Sequence, residues 1–172
     1  MAKSTVGNED EILTFQLGTL LKLHDFVQTQ IDEVSHLIEI EFGQIGSHIQ
    51  SIPGIGLFSA ASIYAEIGVI HRFDTPDQVL AFAGLEPSRH QSGDSEFKGH
   101  MVKRGSSFLR QVLMNVSESS LIHNPVLYDF YKKKRQEGKV HRVALFHVAK
   151  KLVRIIFTLE TNNIDFDFSK MR

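Results

Sequence analysis

Ser51-Ile52-Pro53-Gly54-Ile55-Gly56 runs directly into Leu57-Phe58-Ser59-Ala60-Ala61-Ser62-Ile63-Tyr64-Ala65-Glu66-Ile67-Gly68. A proline and two glycines force a tight turn. The alanine-rich run behind them reads as a helix over 57–67, which Gly68 stops. Residues 45–50 supply a short helix ahead of the turn. Helix, glycine turn, and a second helix with small residues at Ala60 and Ala61 make the pattern of a helix-hairpin-helix. Its physics is direct: Gly54 and Gly56 let the backbone come close to a phosphate, and the unpaired N–H groups at the start of the second helix point at it. Such a motif grips the nucleic-acid backbone without reading bases. The alternative is a helical hairpin whose glycines only permit close packing; the small residues suit both.

Ahead of the turn the chain is helical in pattern. Leu13, Leu17, Leu20, Val27, Ile31, Val34, Ile38, Phe42, Ile45 and Ile49 alternate in steps of three and four, with His24 in the one missing slot. The step from Ile38 to Phe42 resembles a stutter in a heptad seam. Ile12, Phe15, Leu21, Leu23, Phe26, Leu37 and Ile40 widen the stripe beyond what a two-stranded coiled coil needs. One long helix is expected over about 12–43, with an apolar face that another surface must cover, which predicts self-association.

Beyond the turn, Thr75-Pro76 starts a helix over 77–83 that Gly84 ends. Residues 88–103 carry little periodic apolar signal and read as an irregular polar loop, with room for a short hairpin. A loop this polar between helices is more often functional than decorative. Ser106 or Ser107 caps a helix over 108–122. Asn124-Pro125 opens one over 126–136, and a last long helix covers 140–160. In that last helix Val143, His147, Val148 and Leu152 are placed on the core side, and Lys150, Lys151 and Arg154 on the wet side. The fold class is mostly α: a long N-terminal helix, then a compact helical domain. The expected organisation is a frayed tail at 1–11, a coiled-coil-like linker at 12–50, the compact domain at 51–160 and a tail at 161–172.

Composition excludes several classes. The 172 residues are 42% apolar and 23% charged, close to the globular average and away from disorder. The absence of cysteine excludes a disulfide scaffold, a thiolate zinc site and a cysteine nucleophile, and suits a cytoplasmic protein. No apolar run approaches a membrane span. The opening MAKSTVGNEDE lacks the apolar core of a secretory signal. The nine histidines and the acids are scattered, so no metal site is expected.

The net charge of −1 hides a segregation. Residues 1–50 hold two Lys/Arg against eight Asp/Glu, whereas residues 101–155 hold twelve against three. The second block is a candidate polyanion surface. Its phosphate candidates are Lys103, Arg104, Arg110, Lys132, Lys133, Lys134, Arg135, Lys150 and Lys151, joined from the polar loop by Arg89 and Lys98. The alternative is a solvated face that meets the acidic N-terminal region of another copy. Gln91-Ser92-Gly93 adds a serine among these cations. A serine hydroxyl is a weak nucleophile unless a base or metal activates it, and on the residues alone no base is identified.

The order of motifs adds more. IPGIG with its SAASIYAEIG helix is followed by RFDTPDQVLAFAGLEPSRHQSG, KGHMVKRGSSFLRQVLMNVS and NPVLYDFYKKKRQEGKVHRVALFHVAKKLVRIIF. Over about residues 51–158 this series resembles the C-terminal transposase domain of one family, and the preceding helix resembles that family's coiled-coil linker. The family is the bacterial insertion-sequence transposases with an N-terminal DEDD, RuvC-like domain: the bridge-RNA-guided recombinases, Piv-type DNA invertases among them. The resemblance implies DNA transposition or site-specific recombination, with DNA and a guide (bridge) RNA as partners and a bacterial, nucleoid-associated location. It implies that Ser92, at the serine of the QSG-like motif, attacks a DNA phosphodiester. It also implies Mg2+ on a RuvC-like domain rather than on these residues, and a composite active site, so this stretch alone is expected to be inactive. Two other readings stay open: a non-enzymatic helix-hairpin-helix module that binds duplex phosphates, and a purely oligomerising helical protein.

Overall fold

The computed structural model describes residues 10–92, 95–101 and 104–170, with backbone alone for 87–92 and 95–101. The chain divides into two units, Met1–Glu41 and Phe42–Arg172. The first is carried by α1 (Glu11–Ile45), one continuous helix. Asp10 starts it, its carboxylate accepting from the N–H groups of Ile12 and Leu13 at 2.8 and 3.3 Å. The rest of the expected frayed tail lies outside the described residues. The apolar stripe of α1 is exposed along its length: Leu17 is 59% exposed, Leu20 62% and Phe26 63%. Phe42 is the one buried residue of the helix, and it belongs to the second unit.

The second unit is built around α6 (His141–Asn162), which buries Ala144, Leu145, Val148, Ala149, Leu152, Val153, Ile155, Ile156 and Leu159. Against it pack α3 (Pro76–Phe82), α4 (Ser107–His123) and α5 (Pro125–Gln136), and α2 (Leu57–Ile67) packs on α4. Each fully buried Leu, Ile or Val contributes about 1.5–3 kcal/mol relative to exposure, so Ile63, Leu113, Leu127, Leu152 and Ile156, all under 2% exposed, anchor the unit. The helix starts follow their sequence signals. Thr75 caps α3 with Pro76 behind it, Ser106 caps α4 through Leu109 N–H at 3.0 Å, and Asn124 caps α5 through the N–H groups of Val126 and Leu127.

Three segments differ from expectation, and in a fourth one of two expected forms is realised. The arm ahead of the glycine turn is a single 3-10 turn at Ile49–Ser51, because α1 ends at Ile45 and Gly46 (φ 69°) breaks the helix. Of the two forms read for the polar segment, the structure shows the short hairpin: β1 (Pro87–Ser92) pairs antiparallel with β2 (Ser95–Met101). Its polar residues gave no period-two signal, yet the strands satisfy each other's backbone groups by pairing. Val143 is exposed and His147 only half-buried, because the buried stripe of α6 starts one residue later, at Ala144. At the far end, the C-terminal stretch is tied down. Phe166 N–H donates to Ser51 Oγ at 2.9 Å, His48 Nδ1 lies 2.8 Å from Asp165, and Ile164 and Phe166 pack on the core.

Candidate nucleic-acid interface

The two glycines of the turn do different jobs. Gly54 sits at φ +95°, and a Cβ there would stand 2.6 Å from Ser120 Cα and 3.0 Å from Ser120 Oγ on α4. Its lack of a side chain is therefore required by packing. Gly56 has an ordinary φ of −80° and open space where a Cβ would be. It is the N-cap of α2 and offers no side-chain hydrogen bond to the helix start. The first helical bond is Ala60 N–H to Gly56 carbonyl at 2.9 Å, which leaves the N–H groups of Leu57, Phe58 and Ser59 facing outward from the helix end. Gly54, Ile55 and Gly56 line an open concavity completed by Ser119 and His123 from the last turns of α4. Sequence reasoning missed both of these α4 residues: they sit on a helix tail about 65 residues away in the chain, and only the α2–α4 packing brings them to the turn.

The cations of α5 and α6 form a second feature. Lys151 Nζ and Lys134 Nζ stand over the same Phe130 ring, at 4.8 and 5.5 Å from its centroid. Lys132 lies over Tyr128 at 5.3 Å and Lys150 over Phe146 at 5.9 Å. The long stems thus lie on aromatic surface while the ammonium groups stay at the edge. Burial holds Lys150 below its ordinary value, with the Arg154 guanidinium adding to this, and burial does the same to Lys151. Lys150 and Lys151 are therefore half-buried flanks of a cationic surface. Lys133 is exposed, Lys134 pairs with Glu137 at 2.8 Å, and Arg135 donates to Lys139 carbonyl at 2.8 Å.

The remaining predicted residues are dispersed. Arg110 Nη1 donates to Ala83 carbonyl at 3.2 Å, closing the end of α3 and so acting in part as a structural brace. Arg104 is exposed ahead of α4. In the hairpin register Arg89 is opposite Lys98, and Ser92 and Ser95 are the last paired residues before the turn. The side chains of Arg89, Ser92 and Lys98, and the placement of Lys103, lie outside the described residues. Among the described residues no three His, Asp or Glu converge as metal ligands, and no helix is long and apolar enough to cross a membrane.

The sequence model of the transposase IS116/IS110/IS902 family matches residues 46–132, just over half of the 172-residue chain. The chain belongs to this family. The match runs from the break after α1, through the glycine turn, α2, α3 and the hairpin, to Lys132 in α5. Among similar members, the transposase for insertion sequence element IS1111A of Coxiella burnetii is 43% identical over 75 residues, 44% of this chain and 21% of that protein. An insertion element IS110 protein of Streptomyces coelicolor is 23% identical over 153 residues, 89% of this chain and 37% of that protein. The pilin gene-inverting protein of Moraxella bovis is 28% identical over 149 residues, 81% of this chain and 45% of that protein. The chain thus spans less than half the length of each of these family members.

Proposed function

We propose that this chain supplies the DNA-binding, nucleophile-serine part of an insertion-sequence transposase acting in site-specific DNA recombination. The observation that carries the DNA-binding reading is the pair of phosphate-compatible features on one compact unit: the open α2 start at Gly56 and the lysine-rich α5–α6 face. Gly54 is committed to packing against Ser120, so the backbone contact falls to Gly56 and the N–H groups of 57–59. Lysines over aromatic rings give charge without a base-reading geometry, which suits phosphate contact. A guide RNA is a second polyanion that the same face could hold.

Ser92 is the proposed nucleophile. Its Oγ would form a bond to phosphorus as one P–O ester bond breaks, the serine proton passing to a base and the departing oxygen taking up a proton. Support comes from family membership and from the place of Ser92 at the end of β1. The base and any metal are supplied outside these residues, which makes the catalytic site composite. The exposed stripe of α1, wider than a two-stranded seam needs, is proposed to associate with α1 helices of other copies in a coiled-coil-like helical bundle, bringing serine-bearing units into one assembly.

Salt titration tests the DNA-binding reading. Reversing charge at Lys132–Lys134 should weaken duplex binding and flatten the salt slope by about one unit for each phosphate no longer neutralised; weaker binding with an unchanged slope would show that these lysines touch no phosphate. In a reconstituted transposase, Ser92→Ala should abolish strand cleavage and the protein–DNA adduct while duplex binding persists. An adduct that survives the substitution would place the nucleophile elsewhere in the hairpin.

A further inference from the structure

The stripe of α6 that faces away from the core reads Val143, His147, Lys150, Arg154 at helical spacing. His147 is half-buried, with Lys150 and Lys151 on the next turn of the same helix. The charged groups acting on it come from three places: Lys134 and Glu137 at the end of α5, Lys139 in the following turn, and Lys150 on α6 itself. Among the described residues Glu137 is the single acid of this set, and its two oxygens are already taken by Lys134 Nζ, at 2.8 and 3.0 Å. Around Lys150 the acids are Asp77 and Glu86, and Asp77 is paired with Arg154 at 3.2 Å. Among the described residues the cluster therefore holds more positive charge than its carboxylates offset.

In the free protein, burial first and the surrounding lysines second hold His147 below its ordinary value, so its imidazole is neutral near pH 7. A neutral imidazole offers one N–H donor; an imidazolium offers two, each charge-assisted toward a phosphate oxygen. A phosphodiester arriving against Lys134, Lys150 and Lys151 cancels the repulsion that keeps the ring neutral.

We propose that His147, one helical turn from Lys150 and Lys151 on α6, is a phosphate ligand of the α5–α6 cationic face and takes up a proton when a nucleic-acid phosphate binds there. The inference rests on the proposed reading of this face as a phosphate surface and gives that face a built-in pH dependence. The sign is fixed by linkage: a group that binds protons better in the complex makes the complex tighter as pH falls through its bound and free values. Lysines alone give no comparable change across this range, because they stay charged.

The probe is a random-sequence DNA duplex of about 20 base pairs, with the whole chain at fixed ionic strength. Between pH 8 and pH 5.5 its affinity should rise by about five- to tenfold more for the wild type than for His147→Gln, the gain for a shift of nearly one pKa unit on binding. At pH 8, where the ring is neutral, the difference between the two proteins should be at its smallest. As a second measurement that needs no variant, the imidazole C–H resonance of His147 should titrate at a higher pH in the complex than in the free protein. If duplex binding depends on Lys132–Lys134 through its salt slope while His147 titrates unchanged, the proton-uptake inference is overturned and the reading of the face stands. If charge reversal at those lysines leaves binding and slope untouched, the face is not a phosphate surface and both are overturned.

Discussion

Two helices of this chain carry apolar stripes of comparable richness and meet opposite fates. α6 has 22 residues and buries nine of them. α1 has 35 and buries one, Phe42, which belongs to the compact unit. The difference teaches that helical periodicity announces a face to be covered without saying whether the cover lies in the same chain. For α6 the cover is α3, α4 and α5. For α1 it is proposed to be another copy.

The largest test removes α1 from the comparison. Deleting residues 1–41, so that Phe42 stays with the compact unit, should abolish self-association by light scattering while leaving one cooperative unfolding transition. Assembly that persists without α1 would put the self-association surface in the compact unit. Next in size is a matched pair of leucines. Leu113→Ala, fully buried, should cost about 2–5 kcal/mol in urea denaturation. Leu20→Ala, 62% exposed, should change the stability of the monomer by less than about 0.5 kcal/mol and weaken association instead. The two glycines sharpen the same contrast within one turn. Gly54→Ala should cost about 2–4 kcal/mol from left-handed strain and overpacking against Ser120. Gly56→Ala should leave stability within about 0.5 kcal/mol and act on duplex affinity alone. Smaller than the losses expected at Leu113 and Gly54 is that of a cap. Ser106 Oγ accepts from Leu109 N–H and donates to Glu66 at 2.6 Å, so Ser106→Ala should lower the urea midpoint by about 1 kcal/mol of stability.

Much of the helical fold was legible because its boundaries are local chemistry. Thr75-Pro76 and Asn124-Pro125 start helices wherever they end up in space, and the helix at 57–67 needed only the glycine turn and Gly68. The hairpin was legible only as one option for a polar segment, since pairing between 87–92 and 95–101 rests on backbone partners and not on apolar alternation. His147 was misplaced because a histidine beside Phe146 and Val148 fits either side of a helix until the packing of α5 fixes which side is dry. At the site, the lysines of 132–135 and 150–151 could be named from charge, but their shared seat on Phe130 needs two helices brought together. The separate roles of Gly54 and Gly56 were equally hidden. The motif makes them equivalent; only the approach of α4 commits one of them to packing.

Ser47 Oγ and His48 N–H both donate to Glu160, at 2.8 and 2.7 Å, and the bonds from Ser51 and His48 to residues 165 and 166 lie on the same side of the fold. The compact unit is thereby fastened where its chain enters and leaves, like a ring closed by one clasp. A ring of this kind can be opened elsewhere and rejoined at the clasp. A circular permutant that links the end of the unit to Phe42 through a short flexible joint, with new termini between α5 and α6, would keep its core packing. The same closure means that cutting either strand of the clasp, at Ser47–Ser51 or at Glu160–Phe166, loosens both ends of the unit together.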